Sequence, residues 1–159
     1  MLLYVHVGLS LVGIATGFMV IWGLINSKSL DGWTTAFLAT TLATSLTGFL
    51  FPFHGVTPGI VIGVISTVVL AVAIVARYRF GMAGKWRPVY TVTAVVAQYL
   101  NFFVLIVQSF MKVPALHDLA PTQSEPPFAI AQLVALVAFI GLGVLATLRF
   151  RGHAAASAP

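Results

Sequence analysis

Residues 88–111 read PVYTVTAVVAQYLNFFVLIVQSFM, an apolar run of the length that a membrane crossing needs. It contains no Asp, Glu, Lys or Arg. A helix needs about 20 apolar residues to cross the ~30 Å hydrocarbon layer of a bilayer. An unpaired backbone N–H or C=O group costs several kcal/mol in hydrocarbon, so a crossing segment has to be helical. The stretch therefore predicts a transmembrane α-helix.

The rest of the chain shows the same preference for lipid. Of its 159 residues, 60 % are hydrophobic and only 7 % are charged. A soluble domain carries about 25 % charged residues, because water must wet its surface. The composition therefore predicts a membrane protein whose first partner is the lipid bilayer. The chain has no cysteine, which excludes disulfides, thiolate metal sites and thiol catalysis.

Apolar stretches of this length recur along the chain. They cover residues 2–25, 33–51, 58–77, 88–111 and 128–148. We therefore expect an all-α, polytopic membrane helix bundle with five transmembrane helices, which forms a single domain over residues 1–151. A short, disordered cytoplasmic tail is expected over residues 152–159, where small residues predominate.

The basic residues predict the orientation of this bundle. If there are five spans, seven of the eight Lys and Arg residues fall on one side: Lys28, Arg77, Arg79, Lys85, Arg87, Arg149 and Arg151. Only Lys112 falls on the opposite side. The positive-inside rule makes the seven-residue side cytoplasmic, so the N-terminus is expected outside and the C-terminus inside. The net charge of +5 then reflects membrane orientation, and no nucleic-acid partner is predicted.

Catalytic chemistry has little support in this sequence. Ionisable side chains inside a span usually mark function, and the interiors of the predicted spans carry no Asp, Glu, Lys or Arg. Ion-coupled pumps and transporters normally need such groups, so the sequence argues against them. It also lacks a nucleotide-binding loop and a nucleophile elbow. We therefore name no catalytic residue, and a non-enzymatic role is favoured.

Uncharged polar residues converge on the outer half of the predicted bundle. At 100° per residue, Gln98, Asn101 and Gln108 fall within an arc of about 80° on one helix face. His6 and Gln132 lie about one turn inside the outer ends of their spans. A polar pocket open to the outer face is therefore predicted, with these ligand-binding residues: His6, Gln98, Asn101, Gln108, Gln132, His54, His117, Asp118 and Glu125. The alternative is interhelical hydrogen bonding, worth about 0.6 kcal/mol per bond.

The chemistry of these residues favours an organic ligand. A quinone or a lipid headgroup needs only a few amide and imidazole partners in an apolar cleft. We therefore predict that the pocket binds a small molecule or a lipid-like ligand of this kind. A metal or haem with a redox role is a further alternative, because imidazole suits zinc, copper and iron. The candidate metal ligands are His6, His54 and His117, although no HxxxH or HExxH spacing links them.

Small residues in the spans support a third possibility. Gly13 and Gly17 form a GxxxG pair, and so do Gly59 and Gly63. Such pairs let helices approach closely, either within one chain or between chains. The protein could therefore be an accessory or structural subunit of a larger membrane complex, or a homo-oligomer.

The connection KVPALHDLAPTQSEPPF, residues 112–128, joins the last two spans on the outer face. It holds four of the chain's eight prolines, and no regular structure is expected in it. A connection of this length is often a lid or a binding loop. The alternative is a packed cap that binds no ligand.

Four strings resemble a family of small proteobacterial integral membrane proteins without an assigned activity. They are DGWTTAFLATT (31–41), TSLTGFLFPF (44–53), GKWRPVY (84–90) and YLNFFVLIVQSFMKVPALHDLAPTQSEPPF (99–128). The resemblance covers most of the chain up to about Arg151. It implies a location in the bacterial inner membrane, with the outer face in the periplasm, and it supplies no catalytic residue.

Overall fold

Most of the described residues of this protein are in helices. The computed structural model describes residues 1–51 and 58–152, and within them it contains α-helices, one π-helical turn and no strand. The elements are α1 (Leu2–Ile25), α2 (Asp31–Gly48), α3 (Pro58–Ile74), a π-helical turn (Val75–Arg79), α4 (Trp86–Lys112), α5 (Pro114–His117) and α6 (Pro126–Arg149). The predicted all-α architecture is confirmed for these residues.

The number of helices differs from our expectation, since residues 1–51 and 58–152 form six α-helices and not five. The additional one is α5, a single turn inside the connection 112–128, where no regular structure was expected. Pro114 is its first residue, a position where the fixed φ suits a helix and the missing N–H is not needed. The backbone N–H groups of His117 and Asp118 then bond the carbonyls of Val113 and Pro114, both at 2.9 Å.

Among the described residues, four helices are long and apolar enough to cross a membrane, which is compatible with a membrane protein. They are Leu2–Ile25, Gly59–Arg79, Trp86–Lys112 and Pro126–Arg149. The second predicted span, residues 33–51, is helical only as far as Gly48, as part of α2, and α2 is not among these four. The reason lies in its composition, because α2 begins at Asp31 and is rich in threonine.

Three threonines and a serine of α2 donate their hydroxyl protons to the backbone of the helix itself. The hydroxyls of Thr40, Thr44 and Thr47 donate to backbone carbonyls four residues earlier at 2.7, 2.8 and 2.8 Å, and that of Ser45 does so at 3.1 Å. A hydroxyl bonded in this way leaves no donor unpaired, so α2 can lie among apolar neighbours.

Long helices that follow one another in the sequence run antiparallel, which divides the molecule into two ends. At the basic end, formed by residues 26–30, 75–87 and 149–152, the Arg151 N–H donates to Ser27 Oγ at 2.9 Å. At the loop end, formed by residues 1–6, 47–51, 58–60 and 108–128, the rings of Phe110 and Phe128 meet edge to face at 5.4 Å. Seven of the eight Lys and Arg residues lie at the basic end.

Helices α1, α2 and α4 meet at two glycines of α1. A Cβ atom at Gly13 would lie 3.1 Å from Thr41 Oγ1, and one at Gly17 would lie 1.9 Å from Gln98 Oε1 and 2.9 Å from the Phe37 ring. Both glycines are buried. The first GxxxG pair therefore serves contact within the chain.

Helix α6 covers the other side of α4 and is otherwise turned outwards. Its Phe139 packs against Tyr99 and Phe102 of α4, with ring centroids 5.7 and 5.6 Å apart. Of the most apolar 18-residue window of α6, only 11 % is buried inside the chain, compared with 39 % for α1. Most of α6 is therefore left uncovered by the rest of the described chain.

We expect Gly17→Ala to lower the free energy of unfolding by about 2 kcal/mol, the range found for overpacked cores. The added methyl group would displace the buried Gln98 amide, which donates to the Ile14 carbonyl at 2.8 Å. Gly8→Ala is the matched control, because no atom lies within 4 Å of a Cβ at that position of the same helix. Unfolding in mixed detergent micelles would measure both variants.

Equal stability of the Gly17→Ala and Gly8→Ala variants would contradict this packing. A double variant with Gln98→Ala distinguishes the cause. If the amide is the obstacle, Gln98→Ala should cost less in the Gly17→Ala background than in the wild type, since contacting residues do not contribute additively.

Candidate functional site

A cavity of about 270 Å³ lies at the loop end between α1, α2, α3 and α4. Polar side chains from all four helices reach it, namely His6, Ser10, Thr44, Ser45, Ser66, Asn101 and Gln108. Its apolar lining includes Ile14, Phe49, Phe51, Ile60, Ile62, Leu100 and Val104. An apolar cleft with a few polar groups is the usual form of a small-molecule site.

His6 is held in place by α2 and by the segment that follows it. Its Nδ1 lies 3.0 Å from Thr47 Oγ1, and its ring meets the Phe51 ring edge to face at 5.3 Å. The antiparallel packing of α1 on α2 brings these residues together, since they are 41 positions apart in sequence. His6 is therefore an oriented side chain at the cavity wall.

Asn101 and Gln108 extend the polar wall along α4. Asn101 Nδ2 donates to Thr41 Oγ1 at 3.1 Å, which ties α4 to α2. Gln108 is two turns further along the same face and is exposed. Of the span residues predicted for the pocket, the structure thus brings His6, Asn101 and Gln108 to one cavity.

Gln98 and Gln132 serve helix packing. Gln98 is fully buried, and its Nε2 donates to the Ile14 carbonyl of α1 at 2.8 Å. Gln132 Nε2 donates to the Phe103 carbonyl of α4 at 3.3 Å. Neither lines the cavity. The three polar residues predicted on one face of α4 thus have different surroundings. Gln98 lies against Gly17 of α1, where the helices are in close contact, whereas Asn101 and Gln108 lie further along α4, beside the cavity.

The predicted loop residues that the structure describes, His117, Asp118 and Glu125, do not line the cavity either. His117 and Asp118 are exposed at the end of α5, while His54 lies outside the described residues. Glu125 closes a turn: Thr122 donates to its carboxylate from its hydroxyl at 2.9 Å and from its backbone N–H at 3.2 Å. Desolvation acts to raise the pKa of Glu125, but these hydrogen bonds outweigh it and lower that pKa. Glu125 thus stabilises the approach to α6.

The connection 112–128 packs onto the ends of α4 and α6. Gln123 Nε2 donates to the Val107 carbonyl at 2.9 Å, and Ala120 is fully buried. None of the residues 112–128 is among those that line the cavity. The observed contacts are those of a packed cap, and a lid movement stays a prediction.

The predicted metal site has no matching cluster of ligands within residues 1–51 and 58–152. No three His, Cys, Asp or Glu side chains come together there in a way that could hold a metal ion. His6 lies on α1 and His117 on α5. A site that also uses His54 depends on a residue outside the described ranges and stays a prediction.

Arg77 is the residue whose setting we did not foresee. The sequence groups Arg77 with the basic residues that predict the orientation. In the structure its side chain is only 7 % exposed and forms an ion pair with Asp31. Its Nη1 donates to Met82 Sδ at 3.7 Å, and its guanidinium lies 5.2 Å from the Tyr90 ring centroid. The π-helical turn Val75–Arg79 positions it, a helix form that often occurs at functional sites.

A signal for this ion pair was present in the sequence. Asp31 is the only acidic residue outside the connection 112–128. It opens the helix that precedes the Arg77 hairpin, so antiparallel packing of α2 and α3 brings the two charges to the same end. A lone acid near several basic residues is a candidate for an ion pair.

The chain matches no protein-family model. Comparison with curated proteins and with solved structures finds no significant similarity. The resemblance seen in the four sequence strings therefore stays a prediction, and the site has to be interpreted from its own geometry.

We expect Arg77→Gln to lower the free energy of unfolding by about 2 kcal/mol, because Asp31 would lose its partner and the buried donors would be replaced by a shorter amide. Removing one partner of a buried pair costs about 3–5 kcal/mol, and we expect less here because the Asp31 side chain is 68 % exposed. Arg79→Gln is the matched control, since Arg79 is exposed two residues away and should change stability by at most about 0.5 kcal/mol. Unfolding in detergent at low salt would compare them, and equal losses would contradict the role of Arg77.

Proposed function

We propose that this protein is an inner-membrane protein that binds the polar head of an amphiphile, such as a quinone or a lipid, in the cavity at its loop end. The observation that carries the proposal is the cavity itself, where His6, Asn101 and Gln108 face one space in an otherwise apolar bundle. Imidazole and amide groups can orient a neutral polar head without a buried charge.

The size of the cavity supports a head group as the occupant. Pockets for complete drug-sized ligands measure about 300–1,000 Å³. The observed volume of about 270 Å³ is slightly smaller, so it suits a ring or a headgroup and not a whole lipid. Exposed apolar side chains such as Leu11, Val61 and Val64 lie on α1 and α3, where a tail could run along the protein surface in the hydrocarbon.

The proposal includes α2 as the fifth crossing. It packs between α1 and α3 and runs antiparallel to both, and its hydroxyls are bonded to its own backbone. Only a bundle in which α2 crosses puts Lys28 and the basic residues after α3 on one side of the membrane. Trp22 and Trp33 are 49 % and 48 % exposed near that end, as expected at a membrane interface.

The orientation follows from the same charges. The positive-inside rule assigns the basic end to the cytoplasm, which directs the loop end and the cavity to the periplasm. The ligand would then enter from the outer leaflet or from the periplasmic surface. The resemblance to proteobacterial membrane proteins is the basis for the inner membrane as the location.

A filled cavity should prevent binding. We expect Ser45→Phe to weaken binding at least about tenfold, because the ring would occupy the space between α2 and α3. The probes are a short-tailed benzoquinone, its hydroquinone and a monoacylglycerol, titrated against the full-length protein in detergent and followed by native mass spectrometry. Val137→Phe is the matched control, because Val137 is 62 % exposed on α6 and away from the cavity.

Folding of each variant is checked by its thermal midpoint. Gln108→Leu provides a second test, since Gln108 is exposed and its replacement should leave the fold intact. We expect it to weaken binding about three- to tenfold, the effect of one lost hydrogen bond. Absence of binding for all probes, or wild-type binding by both cavity variants, would refute the proposed function.

Single cysteines can test the five crossings, because the chain has no cysteine of its own. In intact cells, Ala115→Cys should react with a membrane-impermeant maleimide, whereas Ala83→Cys and Asn26→Cys should react only after the inner membrane is opened. All three positions are exposed. If Asn26→Cys and Ala83→Cys were labelled from opposite sides, α2 would not cross. If the labelling of Ala115→Cys and Ala83→Cys were reversed, the orientation would be wrong.

A further inference from the structure

The hydrogen bond of His6 determines which of its ring nitrogens carries the proton. Thr47 has one hydroxyl proton, which it donates to the Ala43 carbonyl at 2.8 Å and shares with the Thr44 carbonyl at 3.1 Å. With its proton engaged on these carbonyls, Thr47 Oγ1 accepts from His6 Nδ1, which lies 3.0 Å away. A neutral imidazole has one N–H and one lone pair. With Nδ1 protonated, Nε2 of this cavity-lining residue is an acceptor.

Three hydroxyls at the cavity wall also donate their protons to backbone carbonyls. Ser10 donates to the His6 carbonyl at 2.7 Å, Thr44 to the Thr40 carbonyl at 2.8 Å and Ser45 to the Thr41 carbonyl at 3.1 Å. A hydroxyl has a single donor and two lone pairs. Each of these oxygens can thus offer the cavity only an acceptor.

Donors are fewer among the described residues that line the cavity. Asn101 already uses one of its two amide protons on Thr41, and its other proton remains. Gln108 has an amide that can donate or accept, and Ser66 has one hydroxyl. The cavity is therefore richer in acceptors than in donors.

From this balance we infer that the cavity selects an amphiphile whose head donates hydrogen bonds, a hydroxyl-bearing ring or polyol, over one whose head only accepts them. The inference rests on the proposed function and specifies the chemical class of its ligand. A hydroxyl can donate to His6 Nε2 and accept from the amide of Asn101 or Gln108 at the same time. A quinone carbonyl can only accept, so it would leave Nε2 without a partner and lose that hydrogen bond.

Two sources can supply such a head, a hydroquinone or a glycerol headgroup. The side walls are Phe49, Phe51 and the His6 ring. A flat aromatic head can stack on these rings or meet them edge to face, an attraction that a glycerol headgroup cannot make. The hydroquinone is therefore the source that the wall favours.

The test compares heads with and without hydrogen-bond donors, and the quinone is the probe whose size matches that of the hydroquinone. The probes are a short-tailed hydroquinone, its dimethyl ether and the corresponding quinone, with a monoacylglycerol and its methylated form as the second pair. Dissociation constants are measured by native mass spectrometry and by calorimetry on the full-length protein in detergent, without oxygen so that the hydroquinone stays reduced. We expect the hydroquinone to bind about three- to tenfold more tightly than its ether and than the quinone, the value of one hydrogen bond.

A threonine pair tests the role of the His6 tautomer. Thr47→Val removes the acceptor that holds the proton on Nδ1, so the imidazole can present either an N–H or a lone pair to the ligand. The ratio of ether to hydroquinone dissociation constants should then fall towards one. Thr67→Val is the matched control, because the Thr67 hydroxyl also bonds its own helix, at 2.8 Å from the Gly63 carbonyl, but does not line the cavity. It should leave the ratio unchanged.

The outcomes separate this inference from the proposed function. Tight binding of the hydroquinone or of the monoacylglycerol, with the methylated forms weaker, supports the inference and identifies the source. Binding that Ser45→Phe abolishes but that does not distinguish donors from their methylated forms overturns the inference alone. Absence of any binding overturns the proposed function and this inference with it.

Discussion

A bilayer offers no water to complete a hydrogen bond, and this constraint places the polar groups of the protein. Helix α2 illustrates it most clearly. Its Thr40, Thr44 and Thr47 each donate to a carbonyl one turn earlier, so a helix with modest hydropathy can still lie among apolar neighbours. The same local bonds consume the hydroxyl protons, and they thereby determine which groups α2 can offer to the cavity.

Close packing and the cavity depend on the same kind of residue. Without a hydrophobic driving force between helices in lipid, association relies on small residues and interhelical hydrogen bonds. Gly17 provides the small surface for Gln98, and Asn101 bonds Thr41 across the interface. Towards the loop end, small residues again line α2 and α3, and the described side chains leave a cavity between them. The site is thus a continuation of the packing interface.

The charged groups are sorted between the two ends of the bundle. Arg77 is buried and paired with Asp31, while Arg79 next to it remains exposed. Composition and charge predicted the all-α architecture and the clustering of basic residues, because helix length and the solvation of charge depend on residue type alone. They did not distinguish Arg77 from Arg79, because burial of one arginine depends on how the π-helical turn directs it towards α2 and α4.

The sequence predicts part of the candidate site, and tertiary packing determines the rest. A 3.6-residue period placed Gln98, Asn101 and Gln108 on one face of α4, and this much follows from the sequence alone. Whether an amide on that face meets a neighbouring helix or an open space depends on the distance between helices, which the sequence does not encode locally. Tertiary packing buries Gln98 against Gly17, opens the cavity beside Gln108 and brings His6 to it from α1, since only the assembled bundle determines which surfaces touch.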